Sequence, residues 1–278
     1  MTPKDIVVFI EEKQGRTARM AFAAALAAKW NAHLIATFVA HRMELNPCNG
    51  FAEGAGLVSM LRKHALAVKE ASEQTREEFE ELARRHDITC EWRFSDGETG
   101  EALMLHARHA SLAIVGPAER RRGVLRTLSM SEDIIFASGR PTLLLPFDWP
   151  ADRIGRRIVV GWNGSREAAN AVANAMPFLV AAESVHLVVV PEPRVRGILG
   201  AEPGVDISRH LARHGVPVFL EQHEGQDAGA VLLERARNLE ADMLVIGAYG
   251  RPKISEIVFG GATRAVLTDA DIPILLSR

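Results

Sequence analysis

Met243-Leu244-Val245-Ile246-Gly247-Ala248-Tyr249-Gly250, followed after nine residues by Gly260-Gly261-Ala262-Thr263, is the stretch on which the fold turns. Its apolar opening reads as a parallel strand buried on both faces, and the break into glycines marks the strand's carboxyl end. Closely spaced glycines let backbone amides approach a bulky anion, phosphate being the usual one. A pair of glycines alone marks an ordinary turn more often than a phosphate site, so the surroundings carry the argument. After Gly261, the residues Thr263, Arg264, Val266 and Leu267 begin a short helix over 261–270, and Ile272 to Leu276 forms a last apolar strand. The glycines therefore fall at the end of a strand and the start of a helix, where open α/β sheets hold their ligands.

Outward from this stretch, the chain repeats itself. Ile6-Val7-Val8-Phe9-Ile10 and Ile158-Val159-Val160-Gly161-Trp162 each open a half with an apolar strand, a polar turn and an alanine-rich helix. Leu112 to Gly116 matches Leu244 to Gly247, and Pro141-Thr142-Leu143-Leu144-Leu145 matches Pro273-Ile274-Leu275-Leu276. The pattern predicts strands over 5–10, 33–40, 88–94, 111–116 and 141–146 in the first half, and over 157–162, 184–191, 216–222, 242–247 and 272–277 in the second. Helices are expected over 17–31, 58–86, 98–110, 130–138, 165–181, 205–214, 226–239 and 261–270. Such alternation predicts an α/β fold of two tandem five-stranded parallel open-sheet domains, residues 1–150 and 151–278, packed through their closing strands with pseudo-twofold symmetry. Phe147 to Asp152 reads as the linker.

The glycine spacing of the second half resembles that of the universal stress protein family, whose ATP-binding members carry Gly, two residues, Gly, nine residues, Gly and then Ser or Thr. Gly247, Gly250 and Gly260 stand at the family spacing, Gly261 occupies the first hydroxyl position, and Thr263 matches the second. The resemblance implies a Rossmann-like domain that binds ATP, with magnesium, through Asn163, Val190, Gly247, Gly250, Arg251, Gly260, Gly261, Ala262 and Thr263. Gly261 takes away a side-chain donor to the distal phosphates, and Asn163 stands where the family usually has Asp near the adenine, so weak binding is expected. In the residues themselves, Asn163-Gly164 also reads as a tight turn and Ser165 as the N-cap of a helix with Glu167 in its first turn. Arg251 and Lys253 suit either phosphate oxygens or a solvated loop.

The first half has lost the motif. Gly116-Pro117-Ala118-Glu119 replaces the paired glycines, Leu128-Ser129-Met130-Ser131 replaces the second cluster, and Glu11-Glu12-Lys13-Gln14-Gly15 replaces the Asn163 turn. Proline lacks an amide and side chains obstruct backbone approach, so if only one half binds nucleotide it is the second.

The bulk properties narrow the remaining classes. Formal net charge is -2 with 33 basic residues, which gives no global field for nucleic acid or an anionic membrane. Cys48 and Cys90 lack C-x-x-C spacing, which suits a reducing compartment. Ala18 to Ala32 is too short and too polar to span a bilayer, and no leader pattern opens the chain, so a cytoplasmic location is expected. His210 and His214 are four apart on a helix, with His223 beyond, but His214 before Gly215 suits a helix C-terminus better than a metal. The basic run Glu119 to Arg126 reads as a solvated loop, and His41 to Gly56 as an exposed excursion. No acid–base constellation or nucleophile motif is present, so the chain is expected not to be an enzyme. Two functions stay open: a stress-response regulator that binds an adenine nucleotide and thereby alters its association with a homodimer mate or regulatory protein, and a nucleotide-independent scaffold or dimerisation module.

Overall fold

The computed structural model describes residues 2–11, 15–40, 55–96, 100–117, 130–191, 202–225, 227–248, 266–267 and 271–278. The first half runs β1 (Asp5–Glu11), α1 (Arg16–Trp30), β2 (His33–Ala40), α2 (Ala55–Arg85), β3 (Cys90–Asp96), α3 (Gly100–Arg108), β4 (Leu112–Val115), α4 (Met130–Ala137) and β5 (Thr142–Leu144). The second runs β6 (Arg157–Trp162), α5 (Arg166–Leu179), β7 (Ser184–Val189), α6 (Val205–Arg213), β8 (Val218–Gln222), α7 (Ala228–Asn238), β9 (Met243–Gly247) and β10 (Ile274–Ser277). Of the expected helix over 261–270, only Val266 and Leu267 are described, and they are helical. Of the expected excursion from His41 to Gly56, residues 41–54 lie outside the described set, and α2 begins at Ala55 rather than at the expected 58.

All the strands lie in one sheet, ordered β3-β2-β1-β4-β5-β10-β9-β6-β7-β8. The order is the same when read inward from either edge, which is the repeat expressed in topology. Among the described residues every pairing within each half is parallel, and β5 with β10 is the one antiparallel pair, with Leu275 opposite Leu143. The closing strands thus pack as expected, and they do so by main-chain pairing that makes the two halves a single continuous sheet.

Strict alternation along the strands divides the core into two layers. Ile6, Val8, Ile10, Ile158 and Val160 face α1, α2, α5 and α6, whereas Val7, Phe9 and Val159 face α3, α4 and α7. Each layer crosses the joint without interruption. Trp30 of α1 meets Phe178 of α5 edge to face at 4.7 Å, and Arg278 Nη1 donates to the Phe136 carbonyl of α4 at 3.0 Å. Helix α2 buries Val68, Thr75 and Phe79 and carries ion pairs such as Arg76–Glu80 on its outer side, as its amphipathic pattern predicts.

Candidate functional site

In the second half β6 lies between β9 and β7: the chain leaves β6 through α5 towards β7 and β8, then returns through α7 to β9 on the other side. This reversal makes a topological switch point, and the crevice beyond the carboxyl ends of β6 and β9 is where such sheets take ligands. Three strand ends border it. Asn163 follows Trp162 at the end of β6, Val190 follows β7, and Ala248 follows Gly247 at the end of β9.

The turn after β6 is held by its own side chains. Gly164 has φ of 71°, a conformation that glycine adopts without penalty. Asn163 Oδ1 accepts the Ser165 N–H at 3.1 Å, and Ser165 Oγ accepts the Ala168 N–H at 3.1 Å, which caps α5 as its sequence predicts. Asn163 is exposed, whereas Val190 is only 5% exposed and forms part of the core under α7. Val190 therefore offers an apolar floor and its backbone, with little free side-chain surface.

Gly247 has a structural duty that its spacing alone did not reveal. A Cβ there would stand 2.5 Å from both Ala168 N and Glu167 C, so the bare glycine lets the first turn of α5 rest on the end of β9. Next to it, the Ala248 N–H donates to the Ser277 carbonyl at 2.7 Å and ties β9 to β10. The remaining expected contacts, Gly250, Arg251, Gly260, Gly261, Ala262 and Thr263, lie outside the described residues, as do Lys253, Arg264 and the basic run Glu119 to Arg126. The structure thus brings Asn163, Val190 and Gly247 to one end of the sheet.

The first half solves the same packing problem differently. At the position of Gly247 stands Gly116, and a Cβ on it would overlap the guanidinium of Arg19. Arg19 is 3% exposed, its Nη1 donates to the Phe9 carbonyl at 2.9 Å, and the Ser131 hydroxyl donates to the Gly116 carbonyl at 2.7 Å. Burial pulls the Arg19 pKa below its ordinary value, against the attraction of the Glu11 carboxylate. A guanidinium therefore occupies the space that α5 backbone fills in the other half. In the sequence Arg19 reads only as one of the polar residues of the Ala18 to Ala32 stretch. The missed signal is positional: Arg19 is the fourth residue of α1, and the fourth residue of α5 is Ala169.

A second polar cluster lies towards the outer edge. Glu221 on β8 meets His186 Nδ1 at 2.7 Å, His223 Nε2 at 3.0 Å and Arg235 Nη2 at 2.8 Å. Burial works to raise the Glu221 pKa, but hydrogen bonds from His223, Arg235 and His186 outweigh it and hold the carboxyl down at about 2. His223 is thereby engaged away from His210 and His214, whose rings meet each other at 4.7 Å. Among the described residues no group of three or more His, Cys, Asp or Glu side chains is arranged to hold a metal ion, and no helix is long and apolar enough to cross a membrane.

Residues 155–278 match the model of the universal stress protein family. A universal stress protein of Mycolicibacterium smegmatis is 31% identical over 70 residues, which is 25% of this chain and 54% of that protein, so the match spans about half the relative's length. Among solved structures, a universal stress protein from Archaeoglobus fulgidus superposes with a TM-score of 0.76 at 15% identity, covering 100% of this chain and 99% of the other. A functionally unknown protein from Pseudomonas aeruginosa PAO1 gives 0.64 at 16% identity, covering 99% and 92%. At these identities the likeness is one of fold.

Proposed function

We propose, for a chain whose residues 155–278 match the universal stress protein family, that it is a stress-response regulator that binds an adenine nucleotide weakly at one site in its second half, ATP with magnesium being the first candidate. The site is the crevice at the ends of β6, β7 and β9. One observation carries this reading: the switch point of the second half leads directly from β9 into the sequence with Gly250 and Gly260 at phosphate-binding spacing, and exposed Asn163 stands beside it. Arg251 and Thr263 would meet phosphate oxygens, and the nucleoside would lie across Asn163 and Val190. In the first half Arg19 fills the space beside Gly116, and Pro117 follows without an amide, which favours the second half as the site.

On this reading the protein has two domains, 1–150 and 151–278, works in the cytoplasm, and engages a second copy or a regulatory protein rather than nucleic acid or membrane. It is read as a binding protein without catalysis, since the sequence carries no acid–base constellation or nucleophile motif. The test is the unfolding temperature of the full chain with ATP, ADP or AMP, each with and without magnesium. A ligand at a hundred times its Kd stabilises the native state by about 2.7 kcal/mol, so a bound nucleotide raises the transition and an unbound one leaves it unmoved.

A second reading, a nucleotide-independent scaffold, is favoured by Gly247, because its approach to α5 accounts for that glycine without any ligand. Absence of a shift with all three nucleotides would select it.

A further inference from the structure

Strand β8 is an outer strand of the sheet, and two bonds at its ends fix which way its main chain faces. The Val185 N–H donates to the Pro217 carbonyl and the His223 N–H to the Val189 carbonyl, both at 2.9 Å. Alternate residues of a strand turn N–H and C=O to the same side, so Pro217, Phe219, Glu221 and His223 serve β7, in the register that sets Phe219 opposite His186. Val218, Leu220 and Gln222 face outward. The Val218 N–H is taken by the Val216 carbonyl at 2.9 Å, but the main-chain groups of Leu220 and Gln222 and the Val218 carbonyl have no partner among the described residues.

Open edges are normally guarded by charge, proline or a bulge. The other outer strand, β3, carries Glu91, Arg93 and Asp96 within seven residues. Strand β8 runs in unbroken register without lysine or proline, and its one charge, Glu221, is engaged by His186, His223 and Arg235. On the α7 face of the same strand Phe219 stacks on His186 at 5.3 Å and is still 55% exposed.

We infer that a second copy of the chain binds at β8, by antiparallel pairing of this strand with its twin across a twofold axis at Leu220. The inference rests on the second-copy part of the reading above and is independent of the nucleotide. Such an axis sets Leu220 opposite its own counterpart and Gln222 opposite Val218, so each outward N–H left free meets a carbonyl. The two Phe219 rings take diagonal positions within reach of each other. An axis one residue along, at Glu221, would instead put two carboxylates directly opposite. On the other face α6 packs on β8 with Asp206 in its first turn and Arg213 in its last. Reversal about the twofold brings the acidic end of one α6 beside the basic end of the other, a charge match that selects a copy of this chain over an arbitrary strand.

Sedimentation velocity of the full chain over a wide concentration range, with and without ATP and magnesium, tests this. Wild type is expected to pass from one chain to two as concentration rises and to go no further, because a twofold contact closes on itself. Leu220→Pro removes an outward N–H without touching the ladder to β7, and Phe219→Lys supplies the missing charge at an exposed position. Each is expected to raise the dimer dissociation constant at least about tenfold. Phe94→Lys on β3, also an exposed position, is expected to leave it unchanged. If Leu220→Pro melts lower than wild type, Phe219→Lys decides. A dimer that persists in Phe219→Lys, one lost only in Phe94→Lys, or a mass that climbs beyond two chains overturns the β8 pairing and leaves a second copy bound elsewhere. A chain that stays single at every concentration in both conditions overturns the second-copy reading itself and this interface with it.

Discussion

Replacing Gly116 by Ala should destabilise the protein only as long as Arg19 is present. The added Cβ overlaps the guanidinium, which fits beside the β4 end only because that position has no side chain. To make room, Arg19 must give up its Nη1 bond to the Phe9 carbonyl inside a region where the residue is 3% exposed. A hydrogen bond from a charged group contributes about 1.5–3 kcal/mol, and the displaced charge has no solvent at hand to replace it. In an Arg19→Ala background the obstacle is gone and the same Cβ enters space the guanidinium has left. The Gly116→Ala cost should therefore fall by about 1.5–3 kcal/mol in the double variant, a coupling well above the few tenths expected of independent sites. Urea denaturation of wild type, both single variants and the double variant, followed by circular dichroism, measures it. Costs that add to within about 0.5 kcal/mol would refute the claim that Arg19 and Gly116 share one space.

In the second half the obstacle is backbone. Gly247→Ala should cost about 1–3 kcal/mol or more, since Ala168 N and Glu167 C cannot turn aside as a side chain can; an unchanged urea midpoint would contradict the packing described. For Glu221, a folded-state pKa of about 2 lies below the ordinary 4.5, so its contribution is complete above pH 4.5 and is lost as pH falls towards 2. The gap in unfolding temperature between wild type and Glu221→Gln should narrow over that interval, and a constant gap would show that the carboxylate is not held by its His and Arg partners. Finally, Gly261→Ser should strengthen ATP more than AMP, on the order of tenfold, because the hydroxyl would meet a distal phosphate that AMP lacks. Equal gains for both nucleotides in calorimetry would remove residue 261 from the phosphates.

The fold was legible because its central strands are buried on both sides. Val7 and Val8 face opposite layers and are both apolar, so each strand reads as a run rather than an alternation. The same property hid how the halves join. Leu143, Leu144, Leu275 and Leu276 look like any central strand, and that is what they are: β5 and β10 sit in the middle of the sheet, and nothing in their residues marks one neighbour as antiparallel. The outer strands were read less closely. Strand β8 begins at Val218 rather than 216, because Pro217 lacks the N–H a ladder needs. At the site, Asn163-Gly164-Ser165 announced its turn and cap because both are local chemistry. Arg19 and Gly247 did not, since the role of each is set by a partner far along the chain: Gly116 for one, the start of α5 for the other.

The antiparallel seam between β5 and β10 also settles how this assembly responds to dilution. Two separate five-stranded units would have to find each other, and until they did each would carry a short apolar strand with unpaired main-chain groups, a template for indiscriminate pairing. Tethering converts that encounter into an intramolecular one whose effective concentration is set by the connecting segment rather than by the amount of protein in the cell. The seam persists at any abundance, including the low levels at which a freely dissociating pair would come apart. Any further copy of the chain must bind at a surface other than this one.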